Sequence, residues 1–232
     1  MKRSLLVYAA VMAYLVAVKV VLVLAETATV IPEQAEAFAW PVIGVVALVG
    51  GLCVWLQPRV GVPALLDPDV SNRKRVLIPV LVGLGVGTIN LVVQTTTGLA
   101  HTVAEIANIR AINVPFPDSI AFYTGGAIIL EAIYRLIGIT LPLWLIANVI
   151  LRGRGRTVVF WILALLICVH EPIAQASILA GHPGLMIASA LSTFPIDVFG
   201  MFLLRRAGWL APLSFRLALY LVAHVGGSVL GL

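Results

Sequence analysis

The chain has 232 residues, of which 61% are hydrophobic and 11% charged, with a formal net charge of +5 and a mean hydropathy of +1.09. Soluble domains carry about 25% charged residues, so the charges here are too few to coat a water-facing surface. The apolar runs are continuous rather than alternating, which argues against a β-barrel. The composition instead predicts an all-α polytopic transmembrane bundle of about seven to eight helices, because lipid obliges every backbone polar group to be paired within its own segment.

The apolar runs fall at about 5–25, 40–56, 76–93, 119–151, 157–173, 184–204 and 210–231. They form a single integral membrane domain over 1–232, with N-terminal helices over 1–118 and a polar-bearing core over 119–231. The first run follows Met1-Lys2-Arg3 and is broken only by Lys19. At about 21 residues it exceeds a signal-peptide apolar region and reads as a retained helix. Both cysteines, Cys53 and Cys168, lie inside apolar runs and read as buried thiols.

Basic residues sit in alternate loops. Lys2 and Arg3 precede the first run, Arg59 and Arg73 to Arg75 lie between the second and third, Arg152, Arg154 and Arg156 follow the fourth, and Arg205 and Arg206 follow the sixth. Loop 26–39 holds Glu26, Glu33 and Glu36 without a basic residue, loop 94–118 sets Arg110 against Glu105 and Asp118, and loop 174–183 has no charge. Seven crossings of a cell membrane with a cytoplasmic N-terminus place every basic cluster inside. The basic residues are not interleaved with aromatics as a nucleic-acid surface would require, so the expected surroundings are membrane lipid.

Residues 99–112 place Leu99, Val103, Ile106 and Ile109 at helical spacing, as an interfacial helix on the outer side would. His101 and Glu105 on that stretch have metal-ligand spacing, a weak signal.

The fourth run would make a helix of about 50 Å against a hydrocarbon core of about 30 Å. Pro142 is expected to kink or break it, and Gly125-Gly126 either brings backbones close or weakens the helix. Within it, Glu131 and Arg135 are the only charges from Ile120 to Leu151. A charge near the bilayer centre costs at least about 2.5–3.5 kcal/mol on insertion scales, so it has a partner and a job. At a 1.5 Å rise per residue, Glu131 lies about 18 Å from the outer end of its run, and His170 and His224 each lie about 20 Å from the inner ends of theirs. All three are expected near mid-membrane. Asp197, two residues after Pro195, and Glu171, beside His170 and before Pro172, are further buried acids. Arg216 is expected to pair or to snorkel toward the inner face.

Several readings fit these residues. Glu131 and Arg135 at i,i+4 can neutralise each other structurally, and a membrane histidine can simply bond a neighbouring carbonyl. A carboxylate with two imidazoles at one depth can also act in acid–base catalysis, with the imidazoles on an oxyanion. The same Glu131, His170 and His224 could instead hold Zn²⁺ with one open position. A proton relay through Glu131, His170 and Asp197 in a small transporter is a further reading.

At these residues the chain resembles the CPBP family, the CAAX-processing and bacteriocin-processing (Abi) intramembrane proteases. The family's Glu-Glu-x-x-x-Arg motif is matched by Leu130-Glu131-Ala132-Ile133-Tyr134-Arg135, with Gly125-Gly126 before it and Leu141-Pro142-Leu143-Trp144 after it. Its Phe-x-x-x-His motif is matched by Leu166 to His170, and its final histidine motif by His224 and Ser228. The match spans roughly residues 119–231. The resemblance implies an intramembrane peptidase acting on a membrane-associated peptide or protein substrate, in which Glu131 is the base, Arg135 orients it, and His170 and His224 serve the oxyanion with Ser228 as helper. It implies glutamic-type chemistry without a metal. Leu130 stands where the family has its first glutamate and Leu166 where it has phenylalanine. The first departure equally fits a catalytically silent relative that binds a partner or confers bacteriocin immunity.

Overall fold

Each of the seven apolar runs folds as one helix long and apolar enough to cross a membrane. The computed structural model describes residues 1–25, 36–106, 113–175, 179 and 181–232. Glu26 and Glu33 of the acidic loop, and Ile109 and Arg110 of the amphipathic stretch, lie outside the described residues. The spans are α1 (Lys2–Leu24), α2 (Trp40–Val60), α3 (Arg73–Thr97), α5 (Asp118–Ile150), α6 (Arg156–Gln175), α7 (Pro183–Ala207) and α8 (Leu210–Val229). Between α3 and α5 a short helix, α4 (Leu99–Ile106), forms the first half of the amphipathic stretch, with His101 and Glu105 exposed on it. No strand occurs among the described residues. The protein is an all-α, multi-pass membrane bundle.

Large apolar side chains point outward, among them Leu6, Leu48, Ile89, Leu165 and Leu191, each more than half exposed. In water such a surface would aggregate; facing lipid it is the expected coat. Inside the bundle, small residues let backbones meet. A Cβ on Gly83 would lie 2.4 Å from the Phe215 carbonyl oxygen, and one on Gly87 would lie 2.8 Å from that of Leu219. This Gly-x-x-x-Gly face seats α3 directly on α8, the usual device where helices gain nothing from excluding lipid. Gly125 is likewise a close-approach position, against Val18 of α1 and Phe38, whereas a Cβ on Gly126 would meet open space.

The basic clusters assemble at one end of the bundle. Asn148 near the end of α5 donates to the Arg59 carbonyl at 3.0 Å and accepts from Arg156 Nε at 2.9 Å. Arg205 at the end of α7 donates to the Gly61 carbonyl at 2.5 Å and to Thr157 Oγ1 at 3.2 Å. Arg75 is buried, donating to the carbonyls of Asp67 and Val70 and to Asn72. Charge asymmetry along the chain thus becomes a physically bonded face.

Pro142 does not break α5. The helix runs unbroken from Asp118 to Ile150, with π-helical turns at Glu131–Ile137 and Trp144–Ile150 on either side of the proline. In the first of these the Gly138 amide reaches back five residues to the Ile133 carbonyl. Widened turns of this kind insert one residue into a helix without ending it and often mark functional positions. This one carries Glu131 and Arg135.

Candidate functional site

Four helices each bring charge to one buried point. The π-helical turn of α5 supplies Glu131 and Arg135, α6 supplies Glu171, α7 supplies Asp197 and α8 supplies Arg216. All five are 5% exposed or less. Glu131 Oε1 accepts from Arg216 Nε at 2.5 Å and lies 3.1 Å from Arg135 Nη1. Arg135 also meets Glu171 Oε2 at 3.1 Å and Asp197 Oδ1 at 2.6 Å. Arg216 Nη2 completes the set, with Glu171 Oε1 at 2.7 Å and Asp197 Oδ1 at 2.9 Å. Each guanidinium therefore touches all three carboxyls, which a planar fork with several donors can do and an ammonium point charge does poorly.

The local sequence makes room for this. A Cβ at Gly200, one turn beyond Asp197 on α7, would sit 2.6 Å from Arg135 Nε, so a side chain there would displace the guanidinium. Trp209, fully buried just before α8, donates its indole N–H to the Glu131 backbone carbonyl at 2.9 Å. That bond holds the widened α5 turn against the start of α8. Tyr8 of α1 packs edge-on against the same indole and donates to the Val46 carbonyl of α2 at 2.5 Å, tying both N-terminal spans to the site.

The cluster is not charge-balanced: three carboxyls face two guanidiniums. Glu131 Oε2 and Asp197 Oδ2 are buried with no hydrogen-bond partner in the protein. Buried polar atoms nearly always have a partner, in protein or in ordered water.

The two histidines lie elsewhere, for different reasons. Successive helical residues point about 100° apart at 3.6 residues per turn, so Glu171 and His170 cannot both face inward. Glu171 takes the inner position, and His170 is exposed on the outside of α6 with its ring tilted toward Tyr134, 6.1 Å away. His224 follows Arg216 on α8 by eight residues, a rise of about 12 Å along the helix. His224 therefore lies about two turns beyond the charge cluster along α8 rather than beside Glu131.

His224 instead belongs to a neutral polar cluster nearer the C-terminal end. Its Nδ1 lies 2.9 Å from Asn113 Oδ1, while Asn113 Nδ2 donates to the Leu232 carbonyl at 3.2 Å. The Asn113 amide is thereby oriented with its oxygen toward the ring, which assigns the His224 proton to Nδ1. Tyr123 stacks on the imidazole at 4.6 Å and donates to Asn113 Oδ1 at 3.3 Å, and Tyr220 meets the ring edge-on at 4.8 Å. The Ser228 hydroxyl donates to the His224 backbone carbonyl at 2.7 Å, so it caps its own helix rather than serving an oxyanion. Tyr220 bridges to the charges, accepting from Arg216 Nη1 at 3.3 Å.

Of the expected site residues, the structure therefore unites Glu131, Arg135, Glu171 and Asp197, and sets His170, His224 and Ser228 apart. Of the two expectations for Arg216, pairing holds: it contacts Glu131, Glu171 and Asp197. Glu131, His170 and His224 face different surroundings and do not form a zinc ligand set. Among the described residues no group of three or more His, Cys, Asp or Glu is placed to hold a metal ion. Asn113, Tyr123, Trp209 and Tyr220 were not singled out by the sequence, although Arg216, Tyr220, His224 and Ser228 recur every fourth residue along one face of α8.

No protein-family model, curated protein or solved structure matches the chain. The geometry alone therefore bears on function. Chemically, the cluster offers two carboxyl oxygens without a protein partner, strong orientation by two guanidiniums and one more acid than base.

Proposed function

We propose that the protein is a CPBP-like protein of the cell membrane, basic end toward the cytoplasm, that engages a membrane-embedded peptide or protein partner without hydrolysing it. The observation that supports this is the state of Glu131: its Oε1 is held by both guanidiniums, and neither histidine approaches it. A general base must reach water and the scissile group, and an oxyanion needs donors aimed at it. Here the guanidiniums are engaged by carboxylates and the imidazoles serve other contacts. Leu130, half-buried before Glu131, supplies no second acid. The test is cleavage of membrane-spanning peptides by the purified protein in vesicles. The parent is expected to cleave no faster than Glu131→Gln. Turnover in the parent that Glu131→Gln abolishes would overturn the reading.

One observation favours hydrolysis as a second reading. Glu131 Oε2 is free of protein partners, so it can take a proton from water while Arg135 and Arg216 orient the carboxylate. In that form His170 and His224 are dispensable. Cleavage that survives His170→Ala and His224→Phe but not Glu131→Gln would support it.

A further inference from the structure

We propose that the five-charge cluster is a proton-binding site, holding one proton among Glu131, Glu171 and Asp197 at neutral pH. The argument begins with the charge count. Three carboxylates and two guanidiniums would leave one net negative charge in a site removed from water. An uncompensated charge buried in low dielectric costs several kcal/mol, and a neutral carboxyl removes that cost.

The geometry supplies a place for the proton. Glu171 and Asp197 are drawn to one place by the same two guanidiniums, Arg135 and Arg216 each contacting both. Two ionised carboxylates accept only and cannot bond one another; with one hydrogen between them they can. Glu131 Oε2 and Asp197 Oδ2, on residues 1% and 2% exposed, lack any protein donor. Both are lone-pair sites where a proton can rest.

The other titratable groups near the cluster do not alter the count. From α5 these are Tyr134 and Arg135, from α6 Cys168 and His170, and from α8 Tyr220 and Arg216. The thiol and the phenols are neutral at pH 7 in their ordinary state. His170 is turned outward, and both guanidiniums are already in the count. Proton binding changes only O–H bonds: a hydrogen ion adds to a carboxylate oxygen and leaves from it again, with no electron transferred.

The experiment is infrared spectroscopy of the full chain in lipid vesicles at neutral pH, in H₂O and in D₂O. The parent is expected to show a protonated-carboxyl C=O stretch that shifts in D₂O. Glu131→Gln, Glu171→Gln and Asp197→Asn are each expected to abolish it, because any one of them balances two acids against two bases. His170→Ala is expected to leave it intact. The absence of the band in the parent overturns the proposal. So does a band that any one of the three amide variants, shown to be folded by circular dichroism, retains at full strength. A parent without the band that melts higher in sodium chloride than in choline chloride places an alkali cation there instead, which also overturns it. Loss of folding in one variant leaves the other two to decide. The readout is independent of cleavage, so its outcome stands whichever way the peptidase assay falls.

Discussion

Helix α8 carries two polar regions built on opposite terms. Around Arg216, five ionisable side chains from four helices form a dense set of ion pairs with no histidine in it. Two turns on, around His224, the contacts are neutral: an amide, two tyrosines and an imidazole. In the first, each group shares partners with the others, so removing one alters the balance of the rest. In the second, each hydrogen bond is local and worth about 0.5–1.5 kcal/mol net. The same helix therefore holds a cooperative site and an additive one.

The widest gap between them should open with Arg216→Met. It leaves three carboxyls facing one guanidinium, and breaking a buried pair in this way costs about 3–5 kcal/mol. Arg216→Lys is expected to recover only part of this, since an ammonium does not reproduce the fork that spans Glu131, Glu171 and Asp197. Unfolding in mixed micelles, followed by circular dichroism, measures both. A loss under 1 kcal/mol for the methionine variant would show the cluster to be incidental to the bundle.

Gly200→Ala probes the same cluster without touching a charge. The added Cβ would meet the Arg135 guanidinium at 2.6 Å, and overpacking of this kind costs about 1–3 kcal/mol. The effect should fall sharply when Arg135 is already replaced, a coupling that a double-mutant cycle reads directly. Additive losses would mean that the guanidinium moves aside freely.

On the neutral side, Asn113→Ala removes the acceptor of His224 and Tyr123 together and frees the Leu232 carbonyl. Its expected cost is about 1–3 kcal/mol, the desolvation penalty of buried groups left unpaired. His224→Phe, which keeps a ring between Tyr123 and Tyr220, should cost less. Equal losses from the two would place the stability in the His224–Asn113 hydrogen bond, the one contact that both variants remove.

The contrast also marks what sequence could and could not disclose. The seven spans are legible because each is a continuous apolar run, and the basic face is legible because loop charge alternates. Glu131, Arg135, Glu171 and Asp197 stand out as charges inside apolar text. Their convergence does not, because it depends on the rotation and depth of each helix relative to its neighbours. Arg216 lies six residues from the start of its run, a position that fits pairing as well as snorkelling, and only the packed helices show its partners. The inward turn of Glu171 rather than His170 is likewise set by α6 packing on α5 and α7. A four-residue stripe from Arg216 to Ser228 was the available clue, and it pointed along α8, not across to Glu131.

The smallest expected effect decides between the two residues that compete for one position. His170→Ala should change stability by no more than about 0.5 kcal/mol, as surface substitutions away from special features do, because its ring is exposed and its contact is the tilted Tyr134 side chain. Glu171→Ala, one residue away, removes a buried acceptor that both guanidiniums touch and should cost several times more. If the two losses were equal, α6 would be rotated from the orientation described, with the imidazole sharing the inner face. The near-silence of His170 is thus the most direct check on which face of α6 meets the charges.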